Sequence, residues 1–431
     1  MRSRRKEEKV KKILILISVL IILFSVSAYA TDFTGTEYEN IKIGLFFDST
    51  AKKSVTLNSD SGFIVGYTTE NLEFVEIAQL EQTELYVLID DDGFLNVSGV
   101  YQNTLGYPLE FYSFDNIVKV NGSAYRGFII LKQTGSSFSV INEVNIEEYL
   151  YSVIGKEMSP SWHKEALKAQ AICARTYAIN NWKKYASKGF NLCATQLSQV
   201  YPGISNETAS TIEAVEETRG QIVKYDGKIA QTFFYSSSGG KTANVKYVWG
   251  SNFPYLVSVD DTYEDEKESS SNWTVTLSKS DIEKKLKNAG VDIGSVTGIK
   301  IDKVDNGTVY EVIIKGTKGE YTLKNERTRT FLGLKSQYYT ILESNTNEVS
   351  IKETANSFNG FIKGNALNLL ESIDEEKETL SDFVESDTFT FSGHGWGHRI
   401  GMSQFGAKKM AESGFSAEEI LTHYFPGTTV E

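Results

Sequence analysis

The apolar pattern of the chain changes character at Asn145. Upstream, β-rich runs recur between Asp, Ser and Gly clusters: Ile41–Leu45, Phe63–Val65, Leu85–Ile89 and Phe128–Leu131, which read as short strands. From Asn145 onward Ile146, Leu150, Val153 and Ile154 fall at i, i+4, i+7 and i+8, one face of a helix, and Glu157 lies on that face three turns on. After Ser159-Pro160 a second helix is expected over Glu165–Ala186, rich in alanine (Ala166, Ala169, Ala171, Ala174, Ala178) and so able to pack closely. Ser161 and Glu165 stand near its start, where capping groups and acids are favoured. Strands first, then helices, then a mixed half make an α+β chain.

Residues 1–30 do not read as part of that fold. Arg2, Arg4, Arg5, Lys6, Lys9, Lys11 and Lys12 precede an apolar run from Ile13 through Phe24, and Ala28-Tyr29-Ala30 fits a small-x-small cleavage site. Two readings stay open: a cleaved export signal, or an uncleaved membrane anchor, since Ile13–Ala30 is about the ~18-residue minimum for a spanning helix. Either places residues from 31 onward outside the cytoplasm. The segment carries a net +5, so the chain's −12 becomes −17 without it, and binding of nucleic acid through its phosphates is excluded as a main function. Cys173 and Cys193 are too few for a disulfide framework; one bridge or two buried thiols remain.

Five segments are expected: 1–30 as signal or anchor, 31–143 as a β-rich region, 144–262 as a core opened by the two helices, 263–390 as an insertion, and 391–431 as a tail. Glu264–Asn272, acidic and serine-rich, is the best linker candidate. Ser280-Asp281-Ile282-Glu283 reads as a capping box opening a helix to Lys287, and Ser416-Ala417-Glu418-Glu419 as another near the end.

All four histidines, His163, His394, His398 and His423, sit in two clusters, one beside the first helices and one in the tail. His394-Gly395-Trp396-Gly397-His398, with Gly393 and Gly401, reads as a glycine-laced loop, so its histidines are not a rigid helical zinc pair. A metal loop, a ligand-binding loop using the histidines with Ser403 and Gln404, and a buried turn all fit. Glu157 is either a capping or ion-pairing group or an acid whose proton is held by desolvation, as glycosidic cleavage requires. The chain has no phosphate-binding loop, dinucleotide fingerprint or serine-hydrolase elbow.

Asn145–Leu150, Gly155–Trp162, Glu165–Ala171 and Ala174–Ala178 closely resemble the signature of the stage II sporulation protein D (SpoIID) family, which also contains amidase enhancers. Gln199-Val200-Tyr201, Tyr235–Thr242, Gly397-His398, Gly401–Ala407 and Ile420–Thr428 resemble its later segments, in order, over roughly residues 144–430. The resemblance implies a lytic transglycosylase acting on peptidoglycan glycan strands, often after an amidase has removed the stem peptides. It implies Glu157 as the acid/base, and Gln170, Arg175, Gln199, Tyr201, Tyr235, Ser237, Ser238, His394, His398, Ser403 and Gln404 as glycan-binding residues. No cofactor is needed, and Glu148 and Glu165 stay open as partner acids. Some members bind zinc through a cysteine and a His-Cys pair; here Cys193 stands with Leu197 and Ser198, so no metal is expected. A glycan-binding amidase enhancer without catalysis, and a scaffold in an engulfment complex, are the competing expectations.

Overall fold

The computed structural model describes residues 33, 35–98, 101–264, 271–342 and 382–431. The export or anchor segment, residues 1–30, lies outside them. Among the described residues no helix is long and apolar enough to cross a membrane. The fold is α+β and divides into two compact units, the first within Met1–Ser161, Gln170–Gln231 and Thr429–Glu431, the second within Trp162–Ala169 and Thr232–Thr428.

In the first unit a seven-stranded sheet has the order Leu192–Cys193, Asn40–Phe46, Ser137–Asn145, Phe128–Thr134, Leu109–Ser113, Phe63–Thr68, Phe74–Leu80. A second sheet runs Ser123–Arg126, Ile117–Val120, Ser54–Asn58, Glu84–Ile89, Leu95–Val97, Tyr101–Asn103. Alternating residues of these strands, such as Ile41, Ile43, Val55, Leu57, Leu85 and Val87, are buried, as half-buried strands demand. The four strands expected from sequence are present, each extended by one to three residues.

The longest strand of the first sheet leads straight into the first helix. Asn145 ends it and accepts a hydrogen bond from the Glu147 amide, so the helix Ile146–Glu157 starts where the pattern changes. Gly155 lets this helix approach the Ile204–Asn206 turn, because a Cβ there would stand 1.9 Å from the Asn206 carbonyl oxygen. Gly155→Ala is therefore expected to cost about 1–3 kcal/mol, read as a lower urea midpoint; an unchanged midpoint would show that the turn yields freely.

The alanine-rich helix runs Lys164–Asn180, six residues shorter at its end than the pattern suggests. Beyond Asn180 the ladder changes: the Trp182 amide donates to the Ile179 carbonyl, three residues back, while the Asn181 side chain adds a second bond to the Tyr177 carbonyl.

In the second unit Trp273–Ser278, Thr388–His394 and Tyr338–Leu342 form one antiparallel sheet, with Thr388–His394 central. Val296–Asp305, Thr308–Gly316 and Gly319–Lys324 form another. Trp273, Ile282, Leu286, Ile299, Val312 and Phe391 share one core. Of the expected insertion 263–390, residues 265–270 and 343–381 lie outside the described ones. The helix expected from Ser280 starts at Lys279, capped by Ser278 with Asp281, because the preceding strand runs on to Ser278 in extended conformation. Ser416 with Glu419 caps Ala417–Tyr424 as expected.

Candidate functional site

Glu157 is the last residue of its helix and is half-buried. Ile146, Tyr149, Leu150, Val153 and Ile154 of that helix are buried. Beneath it lies a hydrogen-bonded web. The Tyr149 hydroxyl donates to Gln199 Oε1 (3.1 Å), Gln199 Nε2 donates to the Ala174 carbonyl (3.3 Å), and the Tyr201 hydroxyl donates to Asn142 Oδ1 (2.9 Å). The Tyr149 and Tyr201 rings pack at 5.0 Å. Gln199 and Tyr201, 2% and 3% exposed, thus support the helix from inside.

Arg175 is fully buried. Its guanidinium is bidentate to Glu147 (Nε to Oε1 2.9 Å, Nη2 to Oε2 2.5 Å) and also donates to the Gln221 and Val215 carbonyls. Gln170 is fully buried on the same helix, with neither amide atom hydrogen-bonded. Glu148 lies 3.8 Å from Arg126; burial pushes its carboxyl up and the arginine pulls it back only in part. In the second unit Glu165 accepts from the Ala417 amide and from Lys168. Burial opposes its ionisation, but these two donors outweigh it and leave the carboxyl below its usual range.

Both cysteines are buried free thiols. Cys193 Sγ lies 3.3 to 3.6 Å from the hydroxyls of Thr195, Ser198 and Tyr185. Among the described residues no group of three His, Cys, Asp or Glu gathers at one point, so the donors around Cys193 do not fit a zinc ion, which takes nitrogen, thiolate or carboxylate ligands.

The tail motif assembles within the second unit. Phe234–Tyr235 pairs in parallel with Met402–Ser403, and Ser237 exchanges backbone hydrogen bonds with Trp396. Tyr235, Ser237, Ser238, Ser403 and Gln404 are all at most 7% exposed. The three serines converge on Glu264: Ser237 Oγ donates to its carboxylate, as do Ser238 N (2.7 Å), Ser238 Oγ (2.8 Å) and Ser403 Oγ (3.3 Å). Ser403 also caps the helix Gln404–Glu412. Arg399, fully buried at φ 62°, donates to the Ser238 and Lys241 carbonyls and fixes the serine-rich turn from behind.

His394 belongs to the strand Thr388–His394 rather than to a loop, and its Nδ1 bonds Asn272 Oδ1 at 2.5 Å. Gly393 serves packing there, since a Cβ would stand 2.3 Å from the Trp273 ring. His398 lies among the Phe233, Tyr235 and Trp249 rings. Burial pushes its pKa down to about 4, so it is neutral near pH 7, and its Nδ1 accepts from the Ile400 amide.

Asp261, Glu264 and Arg399 are absent from the sequence-based site. Asp261 is 0% exposed, and neither carboxyl oxygen has a hydrogen-bond partner of good geometry. It lies with the Tyr424 hydroxyl against Gly406, where a Cβ would meet both within 2.5 Å. Burial pushes its carboxyl up to about 6, and the Glu264 charge adds to this. The folded state therefore keeps a proton that the unfolded chain releases near pH 4. Stability should fall as pH rises from about 4 to 6, and the buried charge should cost roughly 3 kcal/mol above that window. Asp261→Asn is expected to unfold at higher urea than the parent at pH 8 and to lose that advantage at pH 4. An equal loss at both would mean that the carboxyl charge is not what the site carries.

The model of the SpoIID stage II sporulation protein family matches residues 134–225. Stage II sporulation protein D of Bacillus amyloliquefaciens is 30% identical over 313 residues, covering 68% of this chain and 76% of that protein. The chain belongs to the SpoIID family. The amidase enhancer of Bacillus subtilis (strain 168) is 32% identical over 372 residues, 80% of this chain. The match spans only half of the enhancer's length (50%). An uncharacterised protein of Brachyspira hyodysenteriae is 29% identical over 385 residues, 88% of this chain and 87% of that protein. The SpoIID match covers the Arg175–Glu147 pair, the Gln199–Tyr201 web and Glu157.

Proposed function

We propose that this SpoIID-family protein is a peptidoglycan lytic transglycosylase of cell-wall remodelling, such as sporulation engulfment requires, with Glu157 as its acid/base. The observation that carries the reading is Glu157 itself, a half-buried carboxyl ending a helix that is otherwise packed inward, inside the motif Gly155–Trp162.

In this mechanism the Glu157 carboxyl gives its proton to the oxygen joining N-acetylmuramic acid to N-acetylglucosamine as the C1–O bond breaks. The resulting carboxylate takes the proton of the muramic 6-hydroxyl, whose oxygen closes on C1. The products are a 1,6-anhydro end and a free 4-hydroxyl, and Glu157 regains its proton. One carboxyl suffices, with no water and no cofactor. Gln170, Arg175, Gln199 and Tyr201 act in the first unit, and Tyr235, Ser237, Ser238, His394, His398, Ser403 and Gln404 in the second, by binding glycan or by holding the groups that do. The work is done outside the cytoplasm, with residues 13–30 as signal or anchor.

A second reading is favoured by the Bacillus subtilis relative, whose name is amidase enhancer: the chain holds glycan and stimulates a wall amidase. Product analysis separates the two. Purified protein incubated alone with peptide-free glycan is expected to release anhydromuramic ends detectable by mass spectrometry. No such ends, together with faster release of stem peptides by an added amidase, would replace the enzyme with the enhancer.

A further inference from the structure

Of the five tryptophans, Trp396 alone is exposed, at 48%. Its backbone, in contrast, is held on every side. Trp396 N donates to the Ser237 carbonyl (2.8 Å), Ser237 N donates to the Trp396 carbonyl (3.2 Å), and Gly397 N donates to the Lys335 carbonyl (3.0 Å). Trp273 Nε1 donates to the Gly395 carbonyl (3.0 Å). Both flanking glycines have positive φ, 78° and 111°. A Cβ on Gly395 would meet the Ser237 and Ser238 carbonyls within 2.8 Å, and one on Gly397 would stand 3.0 Å from Tyr235 Cβ. The loop is thus threaded against the serine-rich turn with a large apolar ring left outside.

A rigid backbone presenting an open aromatic surface is a preorganised platform, because the ordering cost is met before a ligand arrives. The Lys335 ammonium lies 4.4 Å from the ring centroid, so a cation stands beside the aromatic surface. Apolar C–H faces suit the first and an anion suits the second. We propose that Trp396 and Lys335 form a sugar subsite for a pyranose ring that carries an acidic substituent. The indole stacks on the apolar face of the ring, and the ammonium, released from the indole, pairs with the substituent's carboxylate. On the peptidoglycan reading, on which this rests, that sugar is N-acetylmuramic acid with its lactyl carboxylate free.

The test is calorimetric titration of the full chain with three probes: neutral N-acetylglucosamine oligomers, peptide-free glycan fragments, and the same fragments with stem peptides attached. Trp396→Ala is expected to weaken the first two about tenfold or more, and Trp396→Tyr to restore most of the loss. Lys335→Gln is expected to weaken only the peptide-free fragments, about two- to fivefold, and to flatten their salt dependence. Parent-like affinity of Trp396→Ala for both would overturn the subsite, as would equal loss of neutral and acidic sugar in Lys335→Gln. These readouts need no turnover. A chain that binds as expected but makes no anhydro ends loses the enzyme reading and keeps the subsite, whereas cleavage by a chain whose Trp396→Ala variant binds normally does the reverse.

Discussion

Glu157→Gln is expected to cut the release of anhydromuramic ends by about 10²- to 10⁴-fold or more, with little change in the urea midpoint. The amide keeps the shape of the side chain but can neither deliver a proton to the leaving oxygen nor take one from the 6-hydroxyl, so both halves of the step fail together. Glu148 is the proper control, because it lies on the same helix and burial pushes its carboxyl up. Glu148→Gln should leave turnover largely intact, since the Glu148 carboxyl is engaged by the Arg126 guanidinium, 3.8 Å away. Initial rates on peptide-free glycan, followed by mass spectrometry, decide the matter. Parent-like turnover in Glu157→Gln would remove Glu157 from the chemistry, and loss in Glu148→Gln alone would transfer the role there.

What the sequence made legible was mostly local. The start of the helix at Ile146 could be read because apolar spacing and an Asn cap act within a few residues, and Ser416 with Glu419 for the same reason. Glu264 could not. In composition it belongs to an acidic, serine-rich run, yet its carboxylate is held by serines 26, 27 and 139 residues away. Asp261 was hidden for a related cause, since its burial depends on Gly406 and Tyr424 far along the chain. The glycines of the tail misled in the other direction: Gly393 looks like loop punctuation but sits in a strand, cleared for the Trp273 ring. Motif order carried family membership, while long-range pairing decided what each motif residue touches.

That distinction makes Arg175 a sharp case. The family resemblance casts it as a glycan ligand, whereas its guanidinium is 0% exposed and faces a 1% exposed Glu147 carboxylate. Glu147 also accepts from the Gly220 amide at 3.1 Å, so the pair is buried, bidentate and well hydrogen-bonded. Removing one partner strands the other charge away from water, and Glu147→Gln or Arg175→Met is expected to cost about 3–5 kcal/mol. Replacing both with apolar residues should recover much of that loss, because no unpaired charge is then left. Breaking the exposed Lys119–Asp60 pair should cost at most about 1 kcal/mol. Urea unfolding of the single and double variants measures this directly, and a single-variant loss under about 1 kcal/mol would mean that the interior accommodates the lone charge. Arg175→Lys separates the two roles, because lysine keeps the charge but not the fork. If Arg175 positions the helix that ends in Glu157, stability should fall and glycan affinity per folded molecule should hold; a glycan ligand would give lost affinity at unchanged stability.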